Sequence, residues 1–465
     1  MSDQNKERQE LAELSGKPLG ARLKWYFSKS GPGWMQSAMT LGGGSAMASL
    51  FSGAAEEYKL LWVQPIGMLI GLACLAALAY QTMYTQQRPF EAMKNFVSPA
   101  LAWTWAIATM VATIIWHIPQ YALASGMSLD IIEAFTGHQF VGWQQPFMML
   151  GLAFFILFMA TRVVWSYGKG GRGIKVFENI VKTIVWFIIF SFLVVVIAAS
   201  VKGGIDWAAV ARGFSPVSFQ DGFSFNVPSD PRGVTIFIAA LSSAIGINMT
   251  FMFGYTLLRR GWTREYAGLQ RFDMFTGMLI PFTIATSLMI IAAGVAIHPT
   301  FGPEQTGLNP TQAASMLEAA GLPTIVARLV FGLGIVGMCF NAITMHMVVC
   351  GFAVTEVFKI EPTGWKYKLA TLLPAPALFG VLFWAKYGPW IAIPTSAIAG
   401  LLIPIAYIGF FLLNNNKKFL GDDMPRGKVR IFWNIAMLIA IAVTVTSSVY
   451  FIIVRGVPMF KSLFS

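Results

Sequence analysis

Uncharged apolar runs, each close to the length of a membrane-crossing helix, recur from Trp34 to Val454 with short polar segments between them. About 20 apolar residues, rising 1.5 Å each, cross a hydrocarbon core about 30 Å thick. The pattern predicts eleven spans: Trp34–Ala55, Leu60–Tyr84, Leu101–Ala124, Val141–Ala160, Ile174–Ala199, Val234–Leu258, Phe272–Ile297, Ile325–Val357, Leu369–Phe383, Trp390–Leu413 and Ile431–Val454. The opening stretch, Met1–Ser30, is polar and lacks the short apolar core of a signal peptide. The first span is therefore expected to stay in the membrane.

Two runs carry residues that do not belong in an uninterrupted helix. Span one contains Thr40-Leu41-Gly42-Gly43-Gly44-Ser45, and each glycine costs about 1 kcal/mol against alanine in a helix. Span six contains Ala244-Ile245-Gly246-Ile247-Asn248-Met249-Thr250, with polar Asn248 and Thr250 in an otherwise apolar run. Small residues also let membrane helices approach closely, and either segment alone fits that role. Both, however, fall in the first span of a five-span block. Irregular backbone at membrane depth survives only where protein or a water-filled cavity lines it, and paired interruptions point to a transport site. Such a break offers free N–H groups to anions or polar oxygens and free carbonyls to cations.

Composition narrows the class. The chain is 56% hydrophobic and 12% charged, about half the charge of a soluble domain, so lipid must cover much of its surface. The net charge of +12 does not indicate nucleic acid, because the basic residues sit in short loops between spans. Lys6, Arg8, Lys17, Arg22, Lys24 and Lys29 precede span one; Arg259, Arg260, Arg264 and Arg271 follow span six; Lys417, Lys418, Arg426, Lys428 and Arg430 precede span eleven. These and the other basic loops alternate along the chain, which places the N-terminus in the cytoplasm and the C-terminus outside. The implied location is a multi-pass protein of a bacterial inner membrane.

Few polar groups lie at depth. His117 and Gln120 in span three, and Asn341 and His346 in span eight, form a candidate polar path. Each histidine is either a neutral ring hydrogen-bonded between helices or a substrate contact or proton relay. Gln120 and Asn341 are placed about one turn away as their bonding partners. Met39, Met47, Met249 and Met252 surround the breaks; they fill gaps or offer a soft site for a monovalent ion. Cys74, Cys339 and Cys350 are read as inert thiols. Glu178 and Lys182 are expected to pair along one helix, and Arg259 and Arg260 to suit a helix C-terminus. Glu56, Glu57, Asp130, Glu133, Glu178, Asp273 and Glu356 all fall near span ends, so no carboxylate occupies the middle of any span.

Gly31-Pro32-Gly33-Trp34, followed after span one by Tyr58-Lys59-Leu60-Leu61-Trp62-Val63, resembles the opening of the Nramp family. Tyr167-Gly168 with Ile174-Lys175-Val176-Phe177-Glu178 is similar to that family's entry to its fifth helix. Leu402-Ile403-Pro404-Ile405-Ala406 with Asn414-Asn415-Asn416-Lys417-Lys418-Phe419-Leu420-Gly421 is similar to its tenth helix and following loop. The resemblance implies a proton-coupled divalent-metal transporter with a LeuT-like fold: an all-α integral membrane protein, 5+5 inverted repeat, first and sixth helices broken. It also implies site residues, and here the chain departs. Gly42, Gly43, Gly44 and Ser45 stand where the family has Asp-Pro-Gly-Asn. Ala244, Ile247, Asn248 and Met249 stand where it has an alanine followed by Met-Pro-His. His117 stands at an acidic position of the third helix. A hard divalent cation needs anionic oxygen ligands, so no standard metal site is expected.

The expected function is secondary transport of a small ion or solute by alternating access. The site would be Gly42, Gly43, Gly44, Ser45, Ala244, Ile247, Asn248, Met249 and Thr250, with no metal ligand set, no cofactor and a coupling ion left open. The alternatives are a metal-ion transporter with non-standard ligands and a non-transporting sensor on the same fold. The chain ends at Ser465, soon after the last span, where a sensor would be expected to carry an effector segment. No nucleotide-binding or hydrolase motif is found; Gly168–Gly173 is read as a basic loop. The expected organisation is a cytoplasmic segment 1–33, repeat one 34–200, an extracytoplasmic loop 201–233, repeat two 234–413, and a cytoplasmic loop with helix eleven over 414–465.

Overall fold

The computed structural model describes residues 3–168, 171–219, 223–228, 230–305 and 307–456, the side chains of 3, 4, 15, 202, 203, 231, 385–400, 455 and 456 excepted. Lys169 and Gly170 of the expected basic loop, and the stretch 457–465, lie outside the described residues. Two short helices, α1 (Asp3–Glu13) and α2 (Leu19–Lys29), form a hairpin ahead of the first span. Span one is α3 (Pro32–Thr40) and α4 (Gly43–Glu56), separated at Leu41 and Gly42. Then come α5 (Val63–Thr85), α6 (Pro89–Phe96), α7 (Pro99–Thr136), α8 (Gln144–Tyr167) and α9 (Gly171–Gly203). Helix α9 takes in the glycines from Gly171 onward that the sequence assigned to a loop.

The connecting segment holds α10 (Trp207–Gly213) and a minimal hairpin of β1 (Val217–Ser218) and β2 (Ser224–Phe225). Span six is α11 (Pro231–Ser242) and α12 (Ile247–Arg260), again broken in the middle. Span seven is α13 (Ala267–Met274), a wide turn Phe275–Leu279 and α14 (Ile280–Ala296). An amphipathic segment, α15 (Pro310–Ala319), precedes α16 (Phe331–Val357). The chain closes with α17 (Gly364–Thr371), α18 (Val381–Asn414), α19 (Lys417–Leu420) and α20 (Gly427–Phe451).

Helix ends follow local chemistry. Ser98, ahead of Pro99, caps α7 through the Leu101 N–H, and Gly137 at φ 70° ends it. Asp206 and Asp230 cap α10 and α11, and Asn309 and Gln312 cap α15 reciprocally. Each such cap stabilises its helix by about 1 kcal/mol.

Three expected spans differ from what is found. Leu369–Phe383 and Trp390–Leu413 are not separated by a loop, because Val381–Asn414 is one helix. The interruption comes earlier, at a 3-10 turn Ala375–Gly380, where Pro374 and Pro376 lack the N–H groups a helix needs. Helix α7 runs 38 residues, beyond the expected end at Ala124, since Ser125, Ser128 and Asp130 lower the hydropathy without breaking the helix. Among the described residues, nine helical stretches are long and apolar enough to cross a membrane. The count of eleven is not reached because span one is split into halves of 9 and 14 residues and the described apolar part of α18 is only Leu401–Asn414.

The broken helices are packed into the interior. A Cβ on Gly53 of α4 would stand 2.2 Å from the Ile290 carbonyl of α14, and one on Gly71 of α5 would stand 2.1 Å from Ile245 in the break of span six. Glycine permits these approaches. By contrast Phe154, Phe155 and Phe158 of α8, and Phe432 and Ile435 of α20, are exposed, as lipid-facing side chains should be.

Within the N-terminal hairpin, Lys29 holds Glu10 at 2.8 Å, and Trp25 Nε1 donates to the same carboxylate at 2.9 Å. Hydrogen bonding from Lys29, then from Trp25, lowers the Glu10 pKa below its ordinary 4.5. A depressed carboxylate pKa contributes stability above the unfolded value that is lost as pH falls through the folded one. Hydrogen exchange in residues 3–13 should therefore stay slow at pH 7 and accelerate as pH drops below about 4.5, and Glu10→Gln should exchange fast at both. Equal protection at pH 7 in both proteins would refute the contact.

Candidate functional site

The two breaks face each other. Helix α3 ends and α4 begins beside the point where α11 ends and α12 begins, and a cavity of about 90 Å³ opens between them. That is well above the roughly 10–15 Å³ a single water requires. Of the residues singled out in the sequence, Gly42, Gly44, Ser45, Asn248 and Met249 line it, together with Gln120 and His346. Met39, Thr40, Trp116, Pro119, Ser242, Ser243 and Gly246 complete the wall.

Four predicted site residues do not line the cavity, for identifiable reasons. Gly43 is pressed against α7, where a Cβ would lie 2.5 Å from Leu123. Ala244 and Ile247 are fully buried in packing. Thr250 accepts a hydrogen bond from Trp105 Nε1 at 3.0 Å, on the far side of α12. Asn341 is likewise buried, with neither amide atom hydrogen-bonded, and is not the partner of His346. The two histidines partner each other instead: His117 Nδ1 lies 3.2 Å from His346 Nδ1. Only one proton fits between two nitrogens at that distance, so the rings hold complementary tautomers. His117 Nε2 is buried without a hydrogen-bond partner, which makes it the weaker route into the cavity; His346 is the ring on the wall.

Backbone groups freed by the breaks are largely answered within the protein. Gly43 N donates to Gln120 Oε1 at 2.8 Å, and Met249 N donates to Asn248 Oδ1 at 2.9 Å. A backbone N–H only donates, so in both amides the oxygen must face the backbone and the NH2 group must face elsewhere. Both NH2 groups are without a protein partner among the described residues, on side chains that line the cavity. Thr40 Oγ1 donates to the carbonyls of Ser243 and Ala244, and Ser45 Oγ to those of Thr40 and Gly42. No aspartate or glutamate lines the cavity, and no cluster of three or more His, Cys, Asp or Glu suited to a metal exists among the described residues. Of the methionines, Met39 and Met249 reach the wall; Met47 and Met252 do not. The three cysteines are free and buried.

A model of the natural resistance-associated macrophage protein-like family matches residues 33–454. The chain belongs to the Nramp family. Its structure is similar to that of the Eremococcus coleocola manganese transporter in complex with an aromatic bis-isothiourea substituted compound. The TM-score is 0.70 at 14% identity, over 91% of this chain and 87% of that one. It is also similar to MhsT in complex with L-phenylalanine (TM-score 0.57, 14% identity, 90% of this chain and 98% of that one). Mhp1, a nucleobase-cation-symport-1 family transporter in a closed conformation, matches at TM-score 0.53 and 11% identity, over 92% of each chain. No curated protein matches in sequence. These likenesses establish the LeuT-like inverted-repeat fold, and family membership makes this Nramp chain a multi-pass membrane secondary transporter rather than an enzyme.

At the other end of span one, buried charges gather around Gly33 and Trp34. Asp273 Oδ2 accepts from Gly33 N at 2.6 Å. Arg260 stands 3.8 Å from Glu178 and 3.9 Å from Glu7 and donates to the Lys29 carbonyl at 2.6 Å. Glu178 thus pairs across helices and not with Lys182, which donates to the carbonyls of Ser30 and Phe27. Arg259 donates to the carbonyls of Pro362 and Tyr167. The sequence missed these roles because every partner is remote along the chain.

Proposed function

We propose that this Nramp protein moves a small solute bearing hydrogen-bond acceptors, anionic or neutral, through the cavity between its broken helices by alternating access. The observation that carries this reading is the orientation of Gln120 and Asn248, whose oxygens are held by backbone N–H groups. What remains for a ligand is N–H donors, a histidine and thioethers, with no anionic oxygen to offset the dehydration of a hard divalent cation. The bundle of spans one, two, six and seven would rock against the remaining spans. The alternating basic loops support an N-terminus in the cytoplasm and a bacterial inner membrane. The two breaks support a division into repeats at 34–200 and 234–413.

A second reading keeps the metal. Met39, Met249 and His346 share one wall, and thioethers with imidazole suit a soft monovalent ion. Calorimetry of purified protein, with tracer uptake into proteoliposomes, separates the readings. Manganese should give neither saturable binding nor uptake, whereas a panel of small monovalent anions and neutral amides should contain a substrate whose uptake is abolished by Gly44→Trp, on the cavity wall. Saturable manganese uptake would sink the proposal; copper(I) uptake lost in Met249→Leu would replace it with the second reading.

A further inference from the structure

Helix breaks free carbonyls as well as N–H groups, and in this fold those carbonyls are natural ligands for cations. Here four of those carbonyls are occupied by side-chain hydroxyls. Thr40 Oγ1 lies 3.0 Å from the Ser243 oxygen and 2.7 Å from the Ala244 oxygen, both on the opposite broken helix. Ser45 Oγ lies 2.6 Å from the Thr40 oxygen and 2.9 Å from the Gly42 oxygen, and accepts from Gly42 N at 3.1 Å. Both side chains are almost fully buried, and both line the cavity. Their hydroxyl protons point at the oxygens that a bare cation would need.

We infer that Thr40 and Ser45 are specificity-determining residues: their hydroxyls stand in for a cation and close the carbonyl half of the site to cations. A hydroxyl has one proton, so each serves its pair of carbonyls by sharing or alternating. A cation entering the site would have to displace that donor and turn the hydroxyl lone pair inward, at the cost of two satisfied contacts. Thr40 also ties the two breaks directly to each other, which a mobile ion would otherwise do. This inference rests on the proposed reading of the cavity and adds the mechanism by which cations are refused.

The test is sodium-22 binding to the purified full-length protein in lipid nanodiscs, with potassium and N-methylglucamine as competing and inert cations. The wild type and Thr40→Ser, which keeps the hydroxyl, should show no saturable binding. Thr40→Val, of nearly the same shape, should gain saturable binding at least tenfold tighter than any wild-type signal, and sodium should raise its thermal midpoint. Should Thr40→Val fail to fold, Ser45→Ala reads the same effect from the other pair of carbonyls. Variants that fold and stay blind to sodium overturn this inference while leaving the anion or neutral-solute reading intact. Wild-type sodium binding at this site would overturn this inference alone, and wild-type manganese binding would overturn both.

Discussion

Gln120→Glu should abolish transport of the native substrate and create a manganese site. The substitution keeps an oxygen for Gly43 N, 2.8 Å away, so the broken helix retains its anchor. It replaces the NH2 group on the cavity wall with a second oxygen and a negative charge. An acceptor-bearing solute then meets repulsion in place of a hydrogen bond, and uptake should fall by more than about tenfold, the equivalent of one lost hydrogen bond of about 1.4 kcal/mol. A carboxylate beside His346 and the Met39 and Met249 thioethers also supplies the anionic oxygen that a divalent cation requires. Calorimetry should show saturable manganese binding absent from the wild type. Gln120→Leu, which removes both functions, should lose transport without gaining the metal. Unchanged uptake in Gln120→Glu would show that this amide does not face the substrate.

Arg260→Met should be the most destabilising single substitution at the base of span one. The side chain is nearly fully buried, and it faces Glu178 and Glu7 while bonding the Lys29 carbonyl. Its removal leaves the buried Glu178 carboxylate without its ion-pair partner, while Glu7 keeps Lys29 at 3.6 Å; a buried charge so uncovered costs about 3–5 kcal/mol. The thermal midpoint in detergent should drop by several degrees, and Arg260→Met combined with Glu178→Gln should recover part of the loss. A double variant no better than the single one would show that packing, and not charge, dominates there. Arg260→Lys should fall between, since it keeps the charge but not the second donor.

The hydrophobic runs revealed most of the fold, because lipid imposes length and apolarity on every span. The triple glycine at 42–44 and the segment 244–250 each lie at a break, but the chain opens at Leu41–Gly42 and at 243–246, so Gly43, Gly44, Asn248 and Thr250 fall in the first turn of the helix that follows. What the sequence could not show was which face of each break meets the cavity. Thr250 and Asn248 are two residues apart, yet one bonds Trp105 and the other lines the wall. Thr40 was given no role of its own beside the glycines it precedes, because its partners Ser243 and Ala244 lie about two hundred positions away. The histidine pair was equally hidden, for each imidazole had a plausible neighbour on its own helix. Charges misled for the same reason: Lys182 is spaced to pair with Glu178, but Arg260 approaches from another span. In each case local spacing offered a partner and tertiary packing supplied a different one.

The N-terminal hairpin has a mechanical consequence. Only Ser30 and Gly31 separate α2 from α3, so a tilt of the first half of span one would be passed to the hairpin. Helix α2 has 11 residues and is about 16 Å long; a tilt of α3 by about ten degrees would swing its far end by about 3 Å. That end carries no membrane constraint. A pair of fluorophores, one on the hairpin tip and one on α17, would report the rocking of the buried helix as an amplified distance change, readable from outside the bilayer one molecule at a time.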